Sequence, residues 1–206
     1  MKMIKNNSDF TKSEQRDNTH SNKEGVLYDE DNRALYLFDE VNNISISGLY
    51  ATMMNIIIHD NLLEEELRDY QRPPIKLFIN SHGGNLCDMW ALVDVMLNSN
   101  TPIYTYCTGY AESAGLKIFL AGHKRFVTKH ATLMYHQLSA WPQGKYQDLH
   151  ENQKELEWHQ NAIEEYVCSR TKIKSSKLKE IREKKQDWNI HASDAVKLGI
   201  ADAIWM

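Results

Sequence analysis

Cysteine is scarce in this chain, at three residues: Cys87, Cys107 and Cys168. They are odd in number, far apart and set in apolar contexts. That excludes a disulfide framework and a cysteine metal site, and predicts reduced core thiols in a cytoplasmic protein. Long apolar runs are also missing. Ile56-Ile57-Ile58 is stopped by His59-Asp60, far short of a membrane span. The opening residues Met1 to Phe10 lack an apolar h-region, so no signal peptide is expected. Basic charge shows no excess: 24 lysines and arginines face 28 acidic residues, for a net charge of −4. A nucleic-acid surface or an anionic-membrane surface is therefore not favoured. Internal repeats and low-complexity tracts are absent.

What remains is an ordinary globular composition, 42% hydrophobic and 25% charged over 206 residues, enough for one domain with a core. Residues 1–24 are polar and read as a mobile arm ahead of a domain over 25–206. Arg33 to Val41 reads as a buried strand. Ser45 to Leu63 reads as an amphipathic helix, followed by a charged excursion to Pro74. A strand–helix rhythm follows: strand Ile75–Asn80, turn Ser81–Gly84, helix Leu86–Leu97, strand Ile103–Thr108. A tight turn is expected at Gly109–Glu112, then helix Ser113–Ala121. Strands Arg125–Thr128 and Thr132–His136 come next. This alternation predicts an α/β fold with a largely parallel sheet. Tyr146–Arg170 reads as a long helix with one narrow stripe, Leu149, Leu156, Ile163 and Val167. Ser175–Lys185 reads as a basic helix. Ser193 is expected to cap a short helix ended by Gly199, before a last strand Ile200–Trp205.

Three residues in the order Ser113, His136, Asp187 carry the chemistry. A serine hydroxyl needs a base to take its proton, and a histidine base needs an acid to orient it. Ser113 is expected at a strand-to-helix junction, where free N–H groups and the helix dipole suit a nucleophile and an oxyanion. Gly83-Gly84 lies in another such turn, where backbone can approach a ligand. The Gly84 and Ala114 N–H groups are assigned to an oxyanion hole, with Gly83 shaping the loop. Each feature alone has a commonplace explanation: an N-cap serine, a tight turn, a strand-end histidine, a turn aspartate.

Together they are more specific. Phe-Ile-Asn-Ser-His-Gly-Gly, Gly-Tyr-Ala-Glu-Ser-Ala-Gly, Met-Tyr-His-Gln and Asp-Trp-Asn…Asp-Ala-Val-Lys-Leu-Gly-Ile-Ala-Asp resemble, in order and approximate spacing, the Clp protease proteolytic subunit (ClpP) family. The resemblance runs from about Arg33 to Ile204. It implies a ClpP/crotonase-like fold of repeated ββα units, with Ser113 as nucleophile, His136 as base and Asp187 as orienting acid. It also implies a handle at about residues 137–170, two stacked heptameric rings enclosing the sites, and unfolded polypeptide substrates fed by an ATP-driven AAA+ unfoldase. No cofactor or metal is expected in the chain itself.

The sequence departs from the family pattern at several points. His82 stands where proline is usual, Glu112 where a small apolar residue precedes the serine, Ala114 where methionine follows it, and Leu138 where proline follows His-Gln. Glu112 is expected to oppose a developing oxyanion, and His82 to tune the loop through its charge. Two other readings stay open: a latent or structural subunit that modulates another family member, and a crotonase-like acyl-CoA enzyme.

Overall fold

The computed structural model describes residues 27–140 and 142–205. The arm expected over residues 1–24 lies outside the described residues. A mixed, largely parallel sheet forms the centre. Its main path runs β1 (Tyr28–Asp29), β2 (Ala34–Leu37), β3 (Ile75–Ser81), β4 (Ile103–Glu112), β5 (Lys124–Thr128) and β8 (Ala203–Trp205). β6 (Thr132–Tyr135) pairs in parallel with the far end of β4, and β7 (Trp188–His191) pairs antiparallel with β6. The helices are α1 (Asn43–Glu66), α2 (Leu86–Asn98), α3 (Ala114–Leu120), α4 (Tyr146–Arg170), α5 (Ser175–Lys184) and α6 (Ala192–Lys197).

Alternation along the strands separates two faces. Ile75, Leu77 and Ile79 of β3, with Ile103 and Cys107 of β4, point into the core, where Leu49, Met53, Leu92, Met96 and Phe119 are also buried. The opposite positions form an aromatic row across four strands. Tyr36, Phe78, Tyr106 and Phe126 stack in sequence with ring centroids 5.3, 4.8 and 5.0 Å apart. Each such pair adds roughly 0.5–1.5 kcal/mol beyond its buried area. Helix α1 begins where Asn42 and Ser45 cap each other's backbone N–H groups. It starts earlier and ends later than its apolar stripe alone indicates.

Three sequence expectations are corrected. Gly109–Glu112 is not a tight turn but the second half of β4. The sheet register shifts between Ile79 and Ser81, and the Asn80 side chain bridges the gap by accepting from the Tyr110 N–H at 3.1 Å. Gly109 is glycine because a Cβ there would sit 2.3 Å from Asn80 Oδ1. It serves a close approach rather than a turn. Nor does Ser193 cap α6; the N-cap position is His191, the last residue of β7. The three cysteines are free, but only Cys107 is a buried core thiol. Cys87 is exposed and Cys168 is half-buried.

One polar cluster ties α1 to the sheet. Asp60, fully buried, accepts from Arg33 (Nη2 2.7 Å), Tyr70 (2.7 Å) and Thr101 (2.7 Å). Burial alone would raise its carboxyl. The three hydrogen bonds outweigh burial and hold it below the usual carboxylate range. Asp60→Ala leaves Arg33 and Thr101 without this acceptor, and the expected loss is about 3 kcal/mol in a urea titration. Because the folded carboxyl titrates below the unfolded one, this contribution is fully present above about pH 4 and is lost as the pH falls below it. The wild-type stability curve should show that decline, and Asp60→Ala should flatten it.

Candidate active site

The second half of β4 delivers Ser113 to the start of α3. Ser113 has φ 50° and ψ −118°, one of three non-glycine residues with positive φ among the described residues. A serine held there is strained, a cost on the order of 1–3 kcal/mol that surrounding contacts must offset. Those contacts are visible. The Ser113 N–H donates to the Met134 carbonyl at 3.0 Å, and its own carbonyl accepts from Lys117 N–H at 3.4 Å. The Ser113 side chain makes no cap hydrogen bond. That separates it from an ordinary capping serine, whose hydroxyl would be engaged with the helix.

The Gly83-Gly84 turn packs directly on this junction. A Cβ on Gly83 would lie 2.7 Å from both the Ala114 nitrogen and the Glu112 carbonyl oxygen, and 2.8 Å from Ser113 Cβ. A Cβ on Gly84 would lie 2.2 Å from the Val41 carbonyl oxygen. Their φ values are 99° and 145°, so both the space and the backbone require glycine. The loop is pinned by Val41 N–H to the Gly83 carbonyl (2.7 Å) and Asn85 N–H to the Val41 carbonyl (2.6 Å). The Gly83 N–H is itself engaged by Ser81 Oγ at 3.1 Å. Gly84 and Ala114 both line the cleft in which Ser113 stands.

His136 follows β6 by one residue, and Asp187 precedes β7 by one. The last rung of this antiparallel ladder pairs Tyr135 with Trp188. One step further sets His136 across from Asp187. His136 lines the same cleft as Ser113. Among the described residues no hydrogen bond joins Ser113 to His136 or His136 to Asp187, and Asp187 is exposed. The imidazole is held below its ordinary range, first by burial and then by the charge of Lys117. Asp187 acts in the opposite direction, more weakly.

The cleft measures about 190 Å³. A larger cleft of about 580 Å³ lies between the segment 137–140 and α4, lined by Leu138, Leu156, Gln160 and Arg182 among others. It holds no serine, cysteine or histidine, so volume does not locate the chemistry. Its wall is tied to the site's segment: the Leu138 N–H donates to Gln160 Oε1 at 2.7 Å.

Two arrangements escape a reading of the sequence. The first joins His82 to Glu112, 2.7 Å apart at Nδ1 and Oε2, with the His82 ring stacked on Tyr110 at 3.9 Å. The Glu112 carboxylate is therefore engaged with the loop histidine. The second is Lys117, a lysine at 3% exposure inside an otherwise apolar helix and lining the same cleft. Its signal was present in Leu-Lys-Ile-Phe-Leu, a single charge amid core residues. No group of residues suited to a metal occurs among the described residues, and none of their helices is long and apolar enough to cross a membrane.

Residues 31–206 match the sequence model of the Clp protease family, and the chain belongs to that family. It is similar to the ATP-dependent Clp protease proteolytic subunit of Deinococcus radiodurans. The two are 29% identical over 156 residues, which cover 75% of this chain and 74% of the relative. The mixed α/β fold, with six helices and one sheet among the described residues, agrees with this membership.

The two influences that hold the imidazole down both favour its neutral form. In the folded protein, His136 should therefore titrate below pH 6.5 when followed by NMR of the ring protons. A midpoint above 6.5 would mean that Asp187, not burial, governs the ring.

Proposed function

We propose that the chain is a serine endopeptidase of the Clp type, with Ser113 as nucleophile, His136 as general base and Asp187 as the acid that orients the imidazole. The observation that carries this reading is the Ser113 backbone, held at positive φ with its hydroxyl uncapped, in one cleft with His136. His136 takes the hydroxyl proton as Ser113 Oγ attacks a peptide carbonyl. The oxyanion that forms is met by the Gly84 and Ala114 N–H groups. The imidazolium returns its proton to the leaving amine, and an acyl-enzyme remains on Ser113. A water deprotonated by His136 then releases the acid and restores the serine. A base whose proton affinity is lowered stays available in mildly acidic solution. Catalytic hydrogen bonds commonly tighten only when substrate fills the cleft, so contacts between the three residues are assigned to the complex.

The same reading places the site inside an assembly. The N-terminal half of α4 carries Tyr146 at 86% and Trp158 at 63% exposure, with Leu149 also exposed. Only its C-terminal half, through Gln160, Ile163, Tyr166 and Val167, is buried against the body. A helix that holds apolar side chains away from its own core is suited to a second copy, and a ring-to-ring handle is that arrangement. The relative from Deinococcus radiodurans is described as the proteolytic subunit of an ATP-dependent protease. By extension, an AAA+ unfoldase would use ATP and supply unfolded polypeptide here, and the protein would act in the cytoplasm.

The absence of hydrogen bonds among the three residues favours one second reading, a latent subunit that becomes competent only beside another family member. Reaction with a fluorophosphonate probe separates the two. Purified protein should label at Ser113, and Ser113→Ala should abolish labelling. His136→Ala should slow peptide hydrolysis by roughly 10⁴–10⁶-fold and Asp187→Ala by roughly 10⁴-fold. Light scattering should show a large assembly throughout. An intact assembly that does not label would reject the active-enzyme reading in favour of the latent one.

A further inference from the structure

Lys117 has no counterpart in the chemistry just described. It lies one helical turn beyond Ser113, on the short helix that Ser113 begins, and every other residue of that helix is buried and apolar or glycine. Its side chain is 3% exposed, yet it lines the cleft that holds Ser113 and His136. Leu86 and Met89 of α2, Leu138, and Ile163 of α4 supply the apolar part of the lining, and Gln137 and Ser139 add polar groups. Among the described residues no carboxylate forms an ion pair with the amine. Its one defined contact is the face of Tyr135, 4.9 Å from Nζ to the ring centroid. The carboxylate at the mouth of the site, Glu112, is bound to His82. Burial pushes the amine down to about 7, so its proton is held weakly.

A buried amine is costly, and an apolar side chain at this position would fill the core without that cost. The cost is offset if an anion enters the slot. The slot opens beside the serine, and its volume suits a single side chain, so the anion belongs to the residue whose carbonyl Ser113 attacks. We propose that Lys117 sets the substrate class of this site, selecting peptides cleaved after glutamate or aspartate, whose side-chain carboxylate accepts a hydrogen bond from the Lys117 ammonium in the cleft beside Ser113. This rests on the reading of Ser113 as the nucleophile. The aliphatic stem of the substrate side chain packs on Leu86, Met89 and Ile163. Desolvation strengthens the charge-assisted bond beyond its value in water. A glutamine in the same place presents a neutral oxygen and leaves the ammonium without a counter-charge.

The test uses the full chain and blocked, quenched-fluorescent peptides that differ only at the residue before the cleaved bond: glutamate, glutamine, leucine or lysine. Wild-type kcat/KM should favour glutamate over glutamine by at least about tenfold, with lysine poorest. Lys117→Met should reverse the order of glutamate and leucine. Because that variant also alters the core, the isosteric glutamate–glutamine ratio in the wild type carries the decision; a ratio at or below one overturns the proposal. Binding to Ser113→Ala, read by fluorescence anisotropy, removes the dependence on hydrolysis. Tighter binding of the glutamate peptide by about tenfold supports the slot even if Ser113 fails to label with fluorophosphonate, an outcome that would reject only the hydrolase reading. Equal or undetectable binding of the two peptides overturns the slot, whatever the probe reports.

Discussion

The contact between Asn80 and Gly109 governs the rest of the molecule. A parallel sheet whose register slips at β3 would ordinarily end its neighbour there. Here the Asn80 side chain takes the Tyr110 N–H that the slip leaves over, and the missing Cβ of Gly109 makes room for it. β4 therefore continues to Glu112 and pairs with two different strands in succession. Residues 104–107 pair with β5, and residues 110–112 pair with β6. The second pairing brings β6 beside the serine, so that the Met134 carbonyl can hold the Ser113 N–H. β6 in turn carries β7 and so brings Asp187 toward His136. Three residues widely separated in sequence are thus placed by one strand and the two that hang from its far end.

The glycine pair and the histidine–glutamate pair belong to the same problem. The turn at Gly83 is packed so closely on Glu112, Ser113 and Ala114 that it cannot shift without moving the serine. In the family pattern a proline precedes the glycines and fixes one backbone torsion. In this chain His82 occupies that position and gains its order from outside the loop, by stacking on Tyr110 and bonding to Glu112. The two departures from the pattern are therefore one unit, and it ties the glycine turn to the end of β4. Such a tie is softer than a proline ring. It holds the loop toward β4 through side chains rather than through a fixed backbone torsion.

Much of this was legible in the sequence. The core strand Ile75–Ser81, the helices around Leu86–Asn98 and Ala114–Leu120, and the glycine pair all announced themselves through apolar runs, caps and turn residues. Two kinds of feature did not. β7 is four residues long, and its pairing with β6 arises from partners more than fifty residues away, so local pattern carries no trace of it. The end of β4 was hidden for a different reason. Gly-Tyr-Ala-Glu carries turn chemistry, and the Asn80 side chain and the pairing with β6, both supplied from elsewhere in the chain, make it extended. Pairings such as His82 with Glu112 are likewise invisible until the chain is folded. Lys117 stands in the sequence as the single charge of Leu-Lys-Ile-Phe-Leu, but lysine is common in helices and its burial, shown only by the fold, is what sets it apart.

Electrostatically, the cleft is asymmetric. The cation sits on the buried side, at Lys117, and the anion proposed to steady a protonated His136 sits on the exposed side, at Asp187. Burial of the ring does most to keep the imidazole neutral, and the Lys117 charge, screened less than that of exposed Asp187, adds to it. In the proposed mechanism that is the state His136 needs before it accepts a proton, and the wrong one for an imidazolium that must persist until the leaving amine departs. Whatever enters the cleft has to reverse this balance. A substrate backbone across the serine excludes water from Asp187's side and lowers the dielectric between it and His136, which strengthens the favourable interaction. A carboxylate against Lys117 cancels the unfavourable one. Both changes come with the same substrate, so a peptide bearing an acidic side chain at the slot prepares the base as well as filling the pocket, whereas a neutral peptide achieves only the first.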